Sequence, residues 1–141
     1  MIIKQLSVFL ENKTGRLNEV TQLLGNAGIN MSALSVADTS EFGILRMIVS
    51  EPEKALSILK ETEFSVRLTD VICLNSPNEP GALAKALQIL SDNKVSIEYL
   101  YAYSVGESAN VVLKPDQLDE CIKVLQEHKM ELVRASELYK I

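Results

Sequence analysis

The sequence predicts an α+β protein in which one strand–helix–strand–strand–helix–strand unit occurs twice. Three observations lead to this prediction. Short apolar runs and amphipathic helical segments follow one another in that order, a glycine-containing loop occurs at residues 12–17 and again at 78–83, and a constant spacing of 66 residues relates the two halves. A chain of 141 residues has room for two such small units.

The first half opens with a strand and a helix. Residues 2–10 alternate imperfectly between apolar and polar side chains, a pattern typical of a strand. From Arg16 onward apolar residues recur at helical spacing, and Gly28 stands where a helix C-terminus favours a residue with positive φ. The pattern predicts a helix of about three turns. The apolar residues at this spacing are Leu17, Val20, Leu23, Leu24 and Ala27.

Two further strands and a second helix complete the unit. Residues 29–39 and 43–49 predict a hairpin with a polar turn at Thr39, Ser40 and Glu41. The apolar positions change parity within the first of these strands, so we predict a bulge near residues 32 and 33. Pro52 suits the first turn of the second helix, and residues 64–68 lead into a fourth strand. This order is that of a ferredoxin-like βαββαβ unit.

The second half repeats the first. The spacing that separates Gly15 from Gly81 also separates Leu17 from Leu83, and even the change of parity recurs. A single spacing over a whole unit indicates an internal duplication. Because units of this size are marginally stable alone, we expect the two copies to pack together.

The duplication also predicts how the units join. When the strands are shifted by the repeat spacing, residues 68–72 fall both in the last strand of the first unit and in the first strand of the second. We therefore predict one long strand over about 66–75. We divide the chain into a first unit, 1–69, and a second unit, 70–141, with this strand shared. The final strand is predicted at 131–138.

The composition excludes several classes of function. Hydrophobic residues make up 47% of the chain and charged residues 23%, a globular balance, and the net charge of -5 includes no basic patch for nucleic acid. No apolar run approaches the roughly 20 residues of a membrane span, and the N-terminus lacks the features of a signal peptide. We therefore expect no membrane partner and a cytoplasmic location. Cys73 and Cys121 are isolated in apolar runs and are interpreted as buried hydrophobes.

The repeated loop is the candidate for chemistry. Gly15 and Gly81 stand at strand-to-helix turns, where positive φ and an unobstructed backbone favour glycine. The first amides of each following helix lack intrahelical partners and carry the positive end of the helix dipole, which suits a carboxylate. Asn12 and Asn78 offer both donors and an acceptor to a small molecule. The alternative is that these asparagines only cap the turn.

With this loop, each unit resembles an ACT domain, an amino-acid-binding regulatory module. The resemblance covers essentially the whole chain and rests on Asn78, Pro80, Gly81 and Leu83, on the run at residues 28–31, and on the order of the elements. It implies antiparallel sheets with the helices on one face, and units paired side by side into an eight-stranded sheet. It also implies an effector site between paired units, formed by the loop of one unit and the start of the second strand of the other.

Carried onto this sequence, the resemblance implies a specific set of ligand-binding residues. Thr14 departs from the family's usual proline, and Ser96 is shorter than its counterpart Asn30, so the two sites need not be equivalent. If units pair within a chain, the second loop meets Asn30 and the first meets Ser96. The implied set is Asn12, Lys13, Thr14, Gly15, Arg16, Leu17, Asn30, Met31, Asn78, Glu79, Pro80, Gly81, Ala82, Leu83 and Ser96.

Three alternating tyrosines, Tyr99, Tyr101 and Tyr103, share one face of a strand, with Leu100 on the other. If the helices cover the Leu100 face, the tyrosines lie on the open face, where they either pack locally or form an interface. We favour an interface, because large exposed aromatic side chains favour burial against a partner.

These observations predict a regulatory sensor that binds a free amino acid and acts through a change in shape or assembly. We expect a homodimer and a regulated enzyme or regulator on another chain. The alternative is an ACT-type dimerisation or interaction scaffold without a ligand. No catalytic residues, metal or cofactor are expected. A nucleophile–histidine pair would need the only histidine, His128, which is interpreted as solvated, and no H-E-x-x-H or phosphate-binding glycine motif occurs.

Overall fold

The computed structural model describes residues 1–11, 13–38 and 41–140. The candidate ligand residue Asn12 and the predicted turn residues Thr39 and Ser40 lie outside the described residues. The elements in chain order are β1 (Ile3–Glu11), α1 (Arg16–Asn26), β2 (Met31–Asp38), β3 (Phe42–Val49), α2 (Pro52–Glu61), β4 (Ser65–Pro77), α3 (Ala82–Asp92), β5 (Ile97–Val105), β6 (Ser108–Pro115), α4 (Leu118–Glu127), β7 (Glu131–Leu132) and α5 (Ala135–Leu138). The α+β class and the repeated βαββαβ order are confirmed.

The chain forms two compact units. One comprises Lys4–Thr69 with Ser136–Ile141, and is called the first unit below; the second unit comprises Met1–Ile3 with Asp70–Ala135. The division at residues 1–69 and 70–141 stays a prediction, and these structural units differ from it at both chain ends.

The first unit is an antiparallel sheet with two helices on one face. β3 lies between β1 and β2, with Met47 opposite Leu6 of β1 and Leu34 of β2. Alternate residues of the strands meet the apolar faces of α1 and α2, as the strand and helix periods require. This core consists of Leu6, Val8, Leu10, Val20, Leu24, Ile29, Leu45, Met47, Val49, Ala55 and Leu59.

The second unit repeats this arrangement. β6 lies between β4 and β5, and β7 pairs with the other edge of β4. Its core consists of Ile72, Leu74, Ala86, Leu90, Val95, Val111, Leu113, Cys121, Val124 and Leu125. Cys73 and Cys121 are both buried free thiols, as predicted. Burial raises the pKa of Cys73 to about 12 and that of Cys121 to about 11.

The predicted irregularity is confirmed in both copies. The register of β2 against β3 shifts between Met31 and Ala33, and that of β5 against β6 shifts between Ile97 and Tyr99. An extra residue on one strand reverses the side-chain parity beyond it, which accounts for the change in the apolar pattern.

One long strand is present where it was predicted, at about residues 66–75, whereas the prediction of the final strand is largely wrong. β4 runs without interruption over Ser65–Pro77, so the described residues contain seven strands. The predicted final strand at 131–138 is reduced to β7, because pairing stops soon after Leu132 and the chain turns into α5. This helical turn buries Leu138 at 3% exposure, and the Tyr139 hydroxyl accepts a hydrogen bond from the Lys4 amide at 2.6 Å.

All four longer helices are followed by a residue with positive φ. Gly28 and Lys94 follow α1 and α3, and Glu63 and Lys129 follow α2 and α4. The next amide donates back five residues, as from Ile29 to Leu24, which is the Schellman pattern. None of the helices in the described ranges is long and apolar enough to cross a membrane.

Candidate ligand-binding site

Each repeated loop is a type II turn that opens a helix. Gly15 has φ 91° and ψ -11°, and the Arg16 amide donates to the Lys13 carbonyl at 3.3 Å. Gly81 has φ 85° and ψ -11°, and the equivalent bond joins the Ala82 amide to the Glu79 carbonyl, also at 3.3 Å. A type II turn requires positive φ at its third residue and favours proline at its second. The geometry of the turn is therefore sufficient to explain why glycine recurs in this motif.

The space around both glycines is open. A Cβ added at Gly15 or Gly81 would meet nothing within 4 Å, and both residues are exposed. Glycine is needed here for its φ, while the exposed backbone leaves room for a ligand to approach.

The helix starts behind the two turns carry no side-chain cap among the described residues. Helix geometry leaves the first amides of α1 and α3 without intrahelical partners. In the second loop, the Asn78 amide donates to the Glu107 carbonyl at 3.0 Å, and the Asn78 side chain is exposed. Such a start can hold a carboxylate.

The two loops differ in charge. In the first, Glu11 lies 2.9 Å from the Lys13 ammonium and 3.9 Å from the Arg16 guanidinium, which also binds Glu19 at 3.0 Å. The hydrogen bond and charge of Lys13, with the charge of Arg16, hold the pKa of Glu11 below its ordinary value. In the second loop the residues equivalent to Glu11, Lys13, Arg16 and Glu19 are, in that order, Pro77, Glu79, Ala82 and Lys85. Two of them are uncharged, and the other two carry the opposite charge.

Asn30 and Ser96 stand just before β2 and β5 with exposed side chains. The Asn30 amide donates to the Ser50 hydroxyl at 3.0 Å, and the Ser50 amide donates to the Asn30 carbonyl at 2.9 Å. The equivalent pair joins Ser96 to Asp116, at 3.0 Å through the carboxylate and 2.9 Å between backbones. These bonds position the backbone and leave both side chains exposed.

Ser50 and Asp116 were missed by sequence reasoning. Each lies 20 residues from the residue it anchors, so no local pattern marks the contact. The repeat spacing could have found them, because Asp116 follows Ser50 by the same 66 residues as Ser96 follows Asn30.

Within one unit, the loop and the start of the second strand are not brought together. Glu11, at the loop end of β1, pairs with Phe42, whereas Met31 pairs with Val49 at the far end of β3. Seven residues of strand separate these ends, or roughly 23 Å. The described residues of a single unit therefore do not form a site from both parts.

The other predicted site residues divide between surface and core. Thr14, Pro80 and Leu17 are exposed. Met31 and Leu83 pack against the cores of their units. Beside the first loop is a shallow cavity of about 200 Å³, lined by Leu10, Glu11, Lys13, Arg16, Leu17, Val36 and Gly43.

The tyrosines share the face of β5 opposite the core residue Leu100. All three are half-buried. The Tyr103 hydroxyl accepts a hydrogen bond from the Asn110 amide group at 3.2 Å, and burial raises its pKa. Their role as an interface stays a prediction.

The fold and the repeated loops define a tandem pair of βαββαβ domains, each opening its first helix with the same glycine turn. The chain belongs to the ACT domain pair family, whose sequence profile matches residues 1–141. A comparison with curated protein sequences finds no match.

Solved structures include similar chains. Protein BT0572 from Bacteroides thetaiotaomicron is 53% identical, with a TM-score of 0.96 over 100% of this chain and 98% of that one. The ligand-free regulatory subunit of aspartate kinase from Thermus thermophilus is 14% identical, with a TM-score of 0.65 over 89% and 93% of the two chains. Its counterpart from Thermus flavus is 15% identical, with a TM-score of 0.60 over 89% and 92%. The last two share the fold.

Proposed function

We propose that this protein is a regulatory sensor that binds a free amino acid. The loop of one unit would hold the ligand carboxylate, and Asn30 or Ser96 of another unit would hold its polar groups. The observation that carries the proposal is the pair of type II turns, each exposing the uncapped start of a helix. Membership of the ACT domain pair family supports a regulatory role.

The pocket that contains Asn30 is the stronger candidate. Its amide side chain offers two donors and an acceptor, whereas the Ser96 hydroxyl is shorter and offers one donor. Both backbones are equally well anchored, at 3.0 Å to Ser50 and to Asp116. The difference between the sites therefore lies in the side chains.

Occupancy would act on a partner, either an enzyme or a regulator on another chain, and the protein would work as a homodimer. The tyrosine face of β5 is the surface we propose for the homodimer contact. Sedimentation of the native chain beside a Tyr101→Ser variant tests it: a lower mass for the variant is expected, and an unchanged mass would remove this surface from the proposal.

A thermal-unfolding screen against the free amino acids tests the function. A ligand present at about 100 times its dissociation constant adds about 2.7 kcal/mol to the free energy of unfolding. We expect a shift with a subset of the amino acids. The second candidate function is a dimerisation scaffold without a ligand, which the half-buried tyrosines favour. If no amino acid shifts the unfolding transition, the scaffold becomes the better supported function.

A further inference from the structure

All three phenylalanines of the chain line one cavity of the first unit. Phe9 comes from β1, Phe42 from β3, and Phe64 from the segment between α2 and β4. Phe9 is 36% and Phe42 is 51% exposed, so neither is a core residue. The cavity has a volume of about 240 Å³.

The fold does not require these aromatic side chains. The second unit has Asn75 and Ser108 at the positions of Phe9 and Phe42. The Asn75 amide group donates to the Ser108 hydroxyl at 3.2 Å, and also to the Asn110 side chain at 2.8 Å. The same βαββαβ unit thus forms with a polar pair at this place, and the exposed phenylalanines call for another explanation.

The rim of the cavity carries both signs of charge. The guanidinium of Arg16 lies 5.8 Å from the centroid of the Phe64 ring, and Glu11 and Glu63 also line the cavity. One guanidinium nitrogen of Arg16 donates to the Glu19 carboxylate at 3.0 Å and another lies 3.9 Å from the Glu11 carboxylate, so part of its five N–H donors remains for a further acceptor.

We propose that this cavity binds a free amino acid with a bulky apolar side chain. The three phenyl rings would cover the apolar side chain, Arg16 would pair with the carboxylate, and Glu11 or Glu63 would pair with the ammonium group. The volume lies below the roughly 300–1,000 Å³ of drug-sized pockets and suits a small metabolite. This inference rests on the proposed amino-acid-binding function and adds to it a site within the first unit and a class of side chain.

Calorimetric titration with phenylalanine, leucine and glycine tests the site. Phe42→Ser introduces the residue that the second unit carries at the equivalent position, so the variant is expected to fold. We expect it to weaken phenylalanine and leucine binding about tenfold or more, because one apolar wall is lost. The matched control is Leu34→Ser, which changes an equally exposed residue, 51%, of the same unit outside the cavity. Its affinity should stay within about twofold of the native value.

Two analogues test the charges. Phenylpropionate lacks the ammonium group and phenethylamine lacks the carboxylate, so each should bind at least about tenfold more weakly than phenylalanine. Equal affinity for either analogue would overturn the amino-acid assignment. If amino-acid binding survives Phe42→Ser but is lost in Asn30→Ala, the cavity proposal fails and the proposed function stands; if the native chain binds no amino acid, both fail.

Discussion

Gly15 and Gly81 hold one backbone conformation 66 residues apart, with φ of 91° and 85° and ψ of -11° in both. This conformation is the third position of a type II turn that is followed directly by a helix. The duplication has therefore kept a geometry as well as a composition.

Alanine at either glycine should destabilise the protein. For an L-residue the left-handed region costs about 1–2 kcal/mol, and no neighbouring atom lies within 4 Å to add a clash. We expect Gly15→Ala and Gly81→Ala each to lower the free energy of unfolding by about 1–2 kcal/mol in urea denaturation.

The matched control is Gly25→Ala. Gly25 lies inside α1, and its added Cβ would also meet nothing within 4 Å. This variant should raise the free energy of unfolding by about 0.5–1 kcal/mol, since alanine is the better helix former. Destabilisation of similar size in all three variants would contradict a φ-specific cause.

Proline at position 14 should stabilise the first turn. Thr14 occupies the second position of the turn, where the other copy has Pro80, and both turns close with a 3.3 Å bond. Proline presets φ there and reduces the freedom of the unfolded chain, so Thr14→Pro should add about 0.4–1 kcal/mol. Pro80→Thr should lose a similar amount. A loss on Thr14→Pro would show that the two turns are not equivalent.

Two lysines hold strained positions after helices. Lys94 has φ 59° and Lys129 has φ 58°, where α1 has Gly28. Lys94→Gly and Lys129→Gly should each raise the free energy of unfolding by about 0.5–1 kcal/mol, because glycine adopts positive φ without strain. Lys123→Gly, inside α4, is the control and should lose about 1 kcal/mol. Equal losses at all three lysines would argue against backbone strain.

The buried thiols should make the protein less stable in alkali. Burial raises the pKa of Cys73 from 9.0 to about 12, so between these values the thiol ionises in the unfolded chain but not in the folded one. The unfolded state then binds fewer protons, and the free energy of unfolding falls as pH rises, by up to about 1.4 kcal/mol per pH unit. The contribution of Cys73 is isolated by measuring the free energy of unfolding of the native protein and of Cys73→Ala between pH 9 and 11. If the two free energies fall in parallel with pH, the prediction is contradicted.

Local patterns predicted most of the fold. The positive φ at Gly15, the bulge near Ala33 and the start of α2 at Pro52 each follow from a few adjacent residues. The uninterrupted β4 followed from the repeat spacing. The last strand was mispredicted because the pattern of residues 131–138 is ambiguous. Leu138 is buried, and residues 136–141 belong to the first unit, a tertiary contact that the local pattern does not reveal.

The candidate site was less accessible to sequence reasoning. The loops were found because they repeat, but the anchoring bond between Asn30 and Ser50 spans 20 residues. The aromatic cavity joins phenylalanines at positions 9, 42 and 64. The antiparallel pairing of β1 and β3 brings the first two together, and the segment between α2 and β4 adds the third. Tertiary contacts of this kind leave no periodic signal.

Binding of an amino acid at the pocket that contains Asn30 is the central claim. The direct measurement is a calorimetric titration of the native chain, Asn30→Ala and the control Asn26→Ala, which changes an exposed amide at the end of α1. An amino acid that stabilises the native chain through this pocket should bind Asn30→Ala about tenfold more weakly or worse and should bind the control normally. Undiminished binding in Asn30→Ala, Asn12→Ala and Asn78→Ala alike would contradict the account.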